Sequence, residues 1–159
     1  MDTDQIAAVL HKCEVFEGLS DQELKSIAGL ARIEKFKAGD IIYAQGSIGT
    51  KLYVLSEGKV RLERKVEIGG NRKAYVPAFV QRESPSRRLM GSWSALVGEQ
   101  HIQMCSAKCY KPTTVISISS SELTAALSGN PGLRIKILEK LILLLRDRIA
   151  SSYEAMETM

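Results

Sequence analysis

The hydrophobic period changes twice along this chain, and the double change limits it to a β domain held between helical segments. From Ile33 to about Ile118, short β-branched or aromatic runs follow one another: GDIIYAQGS, KLYVLSEGKVRLERKVEI, AYVPAFVQ and TTVISI. Alternation of period two, broken by glycine and polar turns, is the pattern of strands with one face covered. On either side the apolar residues recur every three to four positions, the spacing of one helix face. Residues 1–32, 33–118 and 119–159 are therefore expected to form an N-terminal helical segment, a strand-rich body and C-terminal helices. At 159 residues these make one domain. Several short strands with regular turn signals fit a sandwich or barrel.

Local signals place the boundaries. In TDQIAAVLHK, Asp4 or Thr3 is the expected cap ahead of Ile6, Val9 and Leu10. In LSDQELKSIAGL, Ser20 and Glu23 are spaced as a capping box, and Leu24, Ile27 and Leu30 form an apolar stripe. EIGGNRK reads as a hairpin turn, with Gly69 and Gly70 free to take positive φ. SSSELTAALSGNPGL predicts a short serine-capped helix ending near Gly129, after which Pro131 opens the last helix.

That last helix is long and apolar on more than one side. Leu138, Leu141, Leu145 and Ile149 are assigned to one face, and Ile135, Ile142 and Tyr153 to another. A helix apolar on two sides has two sides to bury. One is expected to cover the β domain and the other to meet a second copy, giving a homodimer of parallel or antiparallel helices. The alternative, both faces packed within one monomer, stays open at this stage.

Composition excludes several classes. A net charge of +4 is a small excess that surface solvation accounts for, so it does not point to nucleic acid. The N-terminus MDTDQIAAVL is acidic where a signal peptide is basic, and the aliphatic block Leu141 to Leu145 falls far short of the ~20 residues that span a bilayer. A cytoplasmic protein without membrane contact is expected. Cys13, Cys105 and Cys109 are too few and too odd for a disulfide framework. Cys105 and Cys109 share a strand face, yet the only histidines, His11 and His101, supply no second ligand pair, so no metal is expected. Nothing arranges an acid–base pair, an activated nucleophile or a phosphate-binding glycine loop. An enzyme is not expected.

The stretch FEGLSDQELKSIAGLARIEKFKAGDIIYAQGSIGTKLYVLSEGKVRL, Phe16 to Leu62, narrows the fold. Phe16 and Leu19 precede an amphipathic helix, Gly39-Asp40 leads a strand, and Gln45-Gly46 marks a turn. LYVLSEG then runs from Leu52 to Gly58, and Lys59-Val60 continues it. This pattern resembles the cyclic nucleotide-binding domain family, which includes catabolite-activator-like regulators and the regulatory subunits of cyclic-nucleotide-dependent kinases. The resemblance covers about Phe16 to Ile149. It implies a mainly β, jelly-roll-like β-roll with flanking helices, a non-catalytic regulatory or sensor role, and a last helix that serves as hinge, lid or dimerisation element. Regulators of the catabolite-activator type carry a helix-turn-helix after that helix. The residues following it here, SSYEAMETM, do not form one, so direct DNA binding by this chain is not expected. A sensor segment of a transcription regulator remains an alternative.

The resemblance also locates a ligand cradle at GSWSALVGEQHIQMCSA, Gly91 to Ala107. In the nucleotide-binding members a glycine is followed by a glutamate for the ribose hydroxyl, and an arginine further on pairs with the cyclic phosphate. Gly91 matches the glycine, Ser92 stands where the glutamate is expected, and Gln103 stands where the arginine belongs. Glu99 and His101 fall outside that register. Losing the cation costs about 2–5 kcal/mol where the charge is buried. The preceding QRESPSRRLM, Gln81 to Met90, adds Arg82, Arg87 and Arg88.

Three readings follow. The pocket is empty and the domain binds an unidentified protein partner; or it takes another small molecule through Gly91, Ser92, Trp93, Ser94, Gln103, Cys105 and Ser106; or it keeps a cyclic nucleotide through Arg87 or Arg88. Trp93 is either a core or lid residue or a ligand-stacking one. No cofactor is firmly implied, and the missing charges count against a cyclic nucleotide.

Overall fold

A computed structural model describes residues 1–81 and 88–158, with only the backbone described for 75–81. Helix α1 (Thr3–His11) is capped by Asp2, ahead of both expected candidates. Asp2 Oδ1 accepts the Gln5 N–H at 2.8 Å while Gln5 Oε1 accepts the Asp2 N–H at 2.8 Å. The reason is reciprocity: an amide three residues on completes a capping box at Asp2, whereas Asp4 sits inside the first turn. Helix α2 (Asp21–Ala28) opens on the expected Ser20–Glu23 box. Between them a 3-10 turn, Glu14–Phe16, buries Phe16 completely.

Among the described residues ten strands follow: β1 (Ala31–Phe36), β2 (Ile41–Tyr43), β3 (Ile48–Gly49), β4 (Lys51–Glu57), β5 (Lys59–Ile68), β6 (Asn71–Gln81), β7 (Leu89–Gly91), β8 (His101–Ile102), β9 (Ser106–Cys109) and β10 (Thr113–Ser119). They form antiparallel sheets in the orders β1-β10-β4-β7 and β2-β9-β5-β6, with a ribbon of β3 and β8. Gly69 and Gly70, at φ 59° and 81°, close the expected β5–β6 hairpin, which sets Ile68 opposite Asn71. This is a jelly-roll-like β-roll with helices at both ends of the chain, α3 (Ser120–Ser128) and α4 (Pro131–Glu157) completing it.

Strand β4 shows why the sheets stack. Its five inner residues, Leu52 to Ser56, are all buried, and alternation sends them to opposite sides. Leu52 and Val54 join the helical core with Leu10, Phe16, Ile27, Leu123 and Ile137. Tyr53 and Leu55 face the other way and join Val60, Leu62, Met90, Ala107 and Val115 between the sheets.

Helix α4 buries Leu133, Ile137, Leu141 and Leu144, and lays Leu138 and Leu145 against the helical core. Ile149 leaves the face assigned to it. Eight residues on from Leu141 it is turned about 80° away, and it stands 55% exposed. The exposed stripe is Ile135, Ile142, Ile149 and Met156, seven residues apart, with Tyr153 beside it. Among the described residues no helix is long and apolar enough to cross a membrane.

Candidate ligand cavity

The glycine that opens the cradle is required by its surroundings. Gly91 ends β7 opposite Leu52 with φ 109°, and a Cβ there lies 2.5 Å from the Lys51 carbonyl oxygen. The turn places Ser92 N–H on that same carbonyl at 2.9 Å and starts a short 3-10 helix, Trp93–Val97.

Ser92 is fully buried, and its Oγ accepts a hydrogen bond from Gln103 Nε2 at 3.3 Å. The two residues standing where a glutamate and an arginine were expected are therefore bonded to each other as a neutral pair. Gln103 is pinned on both sides by its backbone, donating to Ser47 O at 2.9 Å and accepting from Gly46 N–H at 2.8 Å. Gly49 lies directly over the pair, and a Cβ on it collides with Ser92 Oγ and Gln103 Nε2. Gly49→Ala is expected to break the pair and cost about 1–3 kcal/mol, read from urea midpoints at constant slope.

His101 is the neighbour the register argument set aside. It is buried, with Nδ1 2.7 Å from Ser94 Oγ and facing the Ser94 backbone N–H at 3.4 Å. A backbone N–H can only donate, so Nδ1 is the acceptor and the proton sits on Nε2. The ring meets Trp93 edge-on at 4.9 Å between centroids. Burial holds its pKa below the ordinary 6.5, with the Gln103 hydrogen bond opposing. The unfolded chain therefore takes up this proton first, so His101 supports stability above pH 6.5 and withdraws that support as the pH falls below it. Melting temperature is expected to drop more between pH 7.5 and 5.5 in the native chain than in His101→Gln, and equal drops would contradict a buried neutral ring.

Trp93, His101 and Gln103 border a cavity of 580 Å³ between the β-roll and α4. Tyr43, Leu62 and Arg64 form its strand wall, with Leu89, Met90 and Gly91 from β7. Trp93, His101, Gln103, Met104 and Cys105 come from the cradle, and Leu144, Leu145, Arg148, Ile149, Ser152 and Tyr153 from α4. Of the expected pocket residues, Gly91, Trp93, Gln103 and Cys105 reach it. Ser92, Ser94 and Ser106 do not: Ser106 Oγ is taken by the Gln45 N–H at 2.9 Å. Arg88 also lies away from the cavity, buried with its backbone N–H toward Glu14 Oε2 at 3.4 Å and Nη1 toward the Leu55 carbonyl at 3.5 Å. Arg87 lies outside the described residues.

Two cations unforeseen as site residues line the cavity. Arg64 Nη1 donates to the Met104 carbonyl, and Arg148 Nη2 donates to the Leu89 carbonyl, tying α4 to β7. Burial lowers the Arg148 pKa and raises that of Tyr43. Burial also raises the Cys105 thiol, against the pull of Arg64 and Arg148, so the thiol stays protonated near neutrality. Spacing carried a signal for both arginines. Arg64 is two residues past Leu62 on one strand face, and Arg148 is four past Leu144 and three past Leu145 on one helix face.

No protein-family model and no curated protein matches the chain. Solved structures do. A cyclic nucleotide-binding domain from Methylobacillus flagellatus superposes with a TM-score of 0.74 over 96% of this chain and 80% of its own, at 20% identity. The fold is that of the cyclic nucleotide-binding domains. The N-terminal domain of a transcriptional regulator from Streptomyces coelicolor shares it, with a TM-score of 0.68 over 90% of this chain and 94% of its own, at 21% identity. So does the regulatory subunit of a cAMP-independent protein kinase A from Trypanosoma cruzi bound to guanosine, with a TM-score of 0.64 over 87% of this chain and 45% of that one, at 17% identity. Within the cyclic nucleotide-binding fold, the cavity of this domain lies between the β-roll and its last helix.

Proposed function

We propose that this domain is a non-catalytic regulatory sensor, in which a small molecule between the β-roll and α4 sets the posture of α4. The observation that carries the reading is the composition of the cavity wall: strand residues on one side, six α4 residues from Leu144 to Tyr153 on the other. A ligand filling that space touches both bodies at once, so it binds with different affinity to different helix positions, and differential affinity is what moves an equilibrium. The Arg148–Leu89 bond is the tie that such a ligand meets.

The ligand is not a typical cyclic nucleotide. The supporting observation is the closed Ser92–Gln103 pair, which offers neither a carboxylate to a ribose nor a cation to a phosphate. The guanosine-bound trypanosome subunit is a protein of this fold that holds a ligand other than a cyclic nucleotide. The exposed repeat of Ile135, Ile142, Ile149 and Met156, with Leu138 and Leu145 three residues after the first two, has the seven-residue spacing of a helix pair, so α4 joins two copies of the chain. The likeness to the Streptomyces regulator's N-terminal domain favours a second reading, a sensor segment controlling transcription.

The test is a thermal-shift screen with cyclic AMP, cyclic GMP, guanosine, decanoate and 1-naphthoate. A ligand at a hundred times its Kd adds about 2.7 kcal/mol to the folded state, a rise of several degrees for a domain this size. At least one compound other than the two cyclic nucleotides is expected to give that rise. No shift with any compound, together with unchanged Trp93 emission, overturns the sensor reading. A rise with cyclic AMP alone overturns the assignment of the cradle.

A further inference from the structure

Two separate hydrophobic clusters wall the cavity, and their meeting there points beyond the sensor reading, on which this inference rests, to the class of molecule sensed. Leu89 and Leu144 belong to the helical core, with Trp93 and Leu145 packed against it. Leu62 and Met90 belong to the cluster between the sheets. All six line the cavity, so its apolar wall is drawn from both cores. We propose that the cavity binds an uncharged, mainly apolar molecule, which fills the space and joins the two cores.

Three features favour this class. First, apolar contact gains free energy in proportion to the area covered and the void filled. A volume of 580 Å³ holds a drug-sized body. Second, the wall makes no polar demand for a ligand to meet. Gln103 Nε2 donates to Ser92 Oγ, and His101 Nδ1 is held by Ser94. Arg64 and Arg148 donate to the Met104 and Leu89 carbonyls. Among the described residues, no side chain lining the cavity has a buried nitrogen or oxygen left without a partner. A cavity that needs a polar ligand leaves such atoms for it to satisfy. Third, an anion competes for guanidinium groups that already serve a carbonyl. Pairing buried charges returns little more than their desolvation costs, and a displaced carbonyl is left unpaired. A ribose and a purine edge spread their polarity over many atoms, each costly to bury without a partner.

The same assignment says what occupancy does to the helix. Leu144 and Leu145 stand on α4, Leu89 and Met90 on β7, and Leu62 on β5. A body touching all of them adds apolar contact between the helix and the roll. Binding therefore tightens α4 against the sheets, and release of the ligand withdraws that contact.

The experiment is isothermal titration calorimetry of the full chain with naphthalene and 1-decanol and their anionic counterparts, 1-naphthoate and decanoate. Each neutral compound is expected to bind roughly tenfold tighter than its acid, because the acid surrenders the hydration of its carboxylate. The heat capacity change of binding is expected to be negative, the mark of apolar burial. Cys105 lines the cavity, so Cys105→Trp places an indole in the space and is expected to weaken naphthalene binding about tenfold. Melting curves establish whether the variant folds, and the neutral–acid comparison in the native protein needs no variant. Acids that bind as tightly as their neutral partners overturn the uncharged class and leave the sensor reading standing. A folded Cys105→Trp that keeps native affinity for naphthalene overturns the placement of the ligand in this cavity. Binding of guanosine with neither naphthalene nor 1-decanol overturns the class and again spares the sensor. Silence from every compound, in titration and in thermal shift, removes both.

Discussion

Gly91→Val is expected to lower the melting temperature by roughly 10 °C and to abolish ligand-dependent changes in Trp93 emission. Two costs add at this position. A φ of 109° is closed to β-branched residues and costs about 1–3 kcal/mol of backbone strain. The new Cβ also meets the Lys51 carbonyl at 2.5 Å, with Leu52 Cα at 3.3 Å and the Tyr53 ring at 3.1 Å. Backbone cannot swing aside as a flexible side chain does, so β7 must move away from β4. That movement disrupts the Ser92 N–H bond to Lys51 and the start of the cradle together. A total near 3 kcal/mol, at about 2–4 °C per kcal/mol for a chain of this length, gives the stated shift. Gly98→Val is the matched control. It shares a positive φ of 83°, but a Cβ there meets nothing within 4 Å, so it pays the strain alone and loses only a few degrees. Equal losses at the two positions would show that the contact with Lys51 contributes nothing.

Ile142→Glu is expected to convert a dimer into a monomer, read as a halving of the mass by light scattering. Ile142 is 66% exposed on a single chain, the most open of the large apolar residues on α4. It occupies the second step of the Ile135, Ile142, Ile149, Met156 repeat, where a helix pair buries it against its counterpart. A glutamate there faces the like charge of the partner helix in a low-dielectric seam, which costs several kcal/mol of association. Because the position touches little within one chain, the circular dichroism spectrum and the core packing of Ile137, Leu141 and Leu144 are expected to persist. A native protein already at 17.5 kDa in solution, or an unchanged dimer mass in the variant, sinks the assignment.

How much of this was legible beforehand depended on the distance over which each signal closes. The Ser20–Glu23 box and the Gly69–Gly70 turn are complete within a few residues, and both are found as expected. The Asp2 cap closes on the same scale, but its signal lies in the partner amide of Gln5 rather than in the cap residue alone. Gly91 could be placed by resemblance, although the contact that forbids a side chain there comes from Lys51, far back in the chain. The inward turn of Ser92 and the withdrawal of Arg88 toward Glu14 depend on tertiary packing. No local pattern encodes them. Arg64 and Arg148 are the instructive cases. Each occupies an apolar face at the proper period, and a charged residue in such a place reads from sequence as an interruption, whereas in the folded chain it is the lining of a cavity.

Helix α4 runs from Pro131 to Glu157, about 40 Å at 1.5 Å per residue. Core burial from Leu133 to Leu144 leaves residues 145–157, roughly 20 Å of helix, beyond the last buried anchor. Under the proposed sensor role, a swing of about 10° about that anchor carries the far end through roughly 3 Å. A change at the cavity wall would then reach a second molecule as a shift of the helix end.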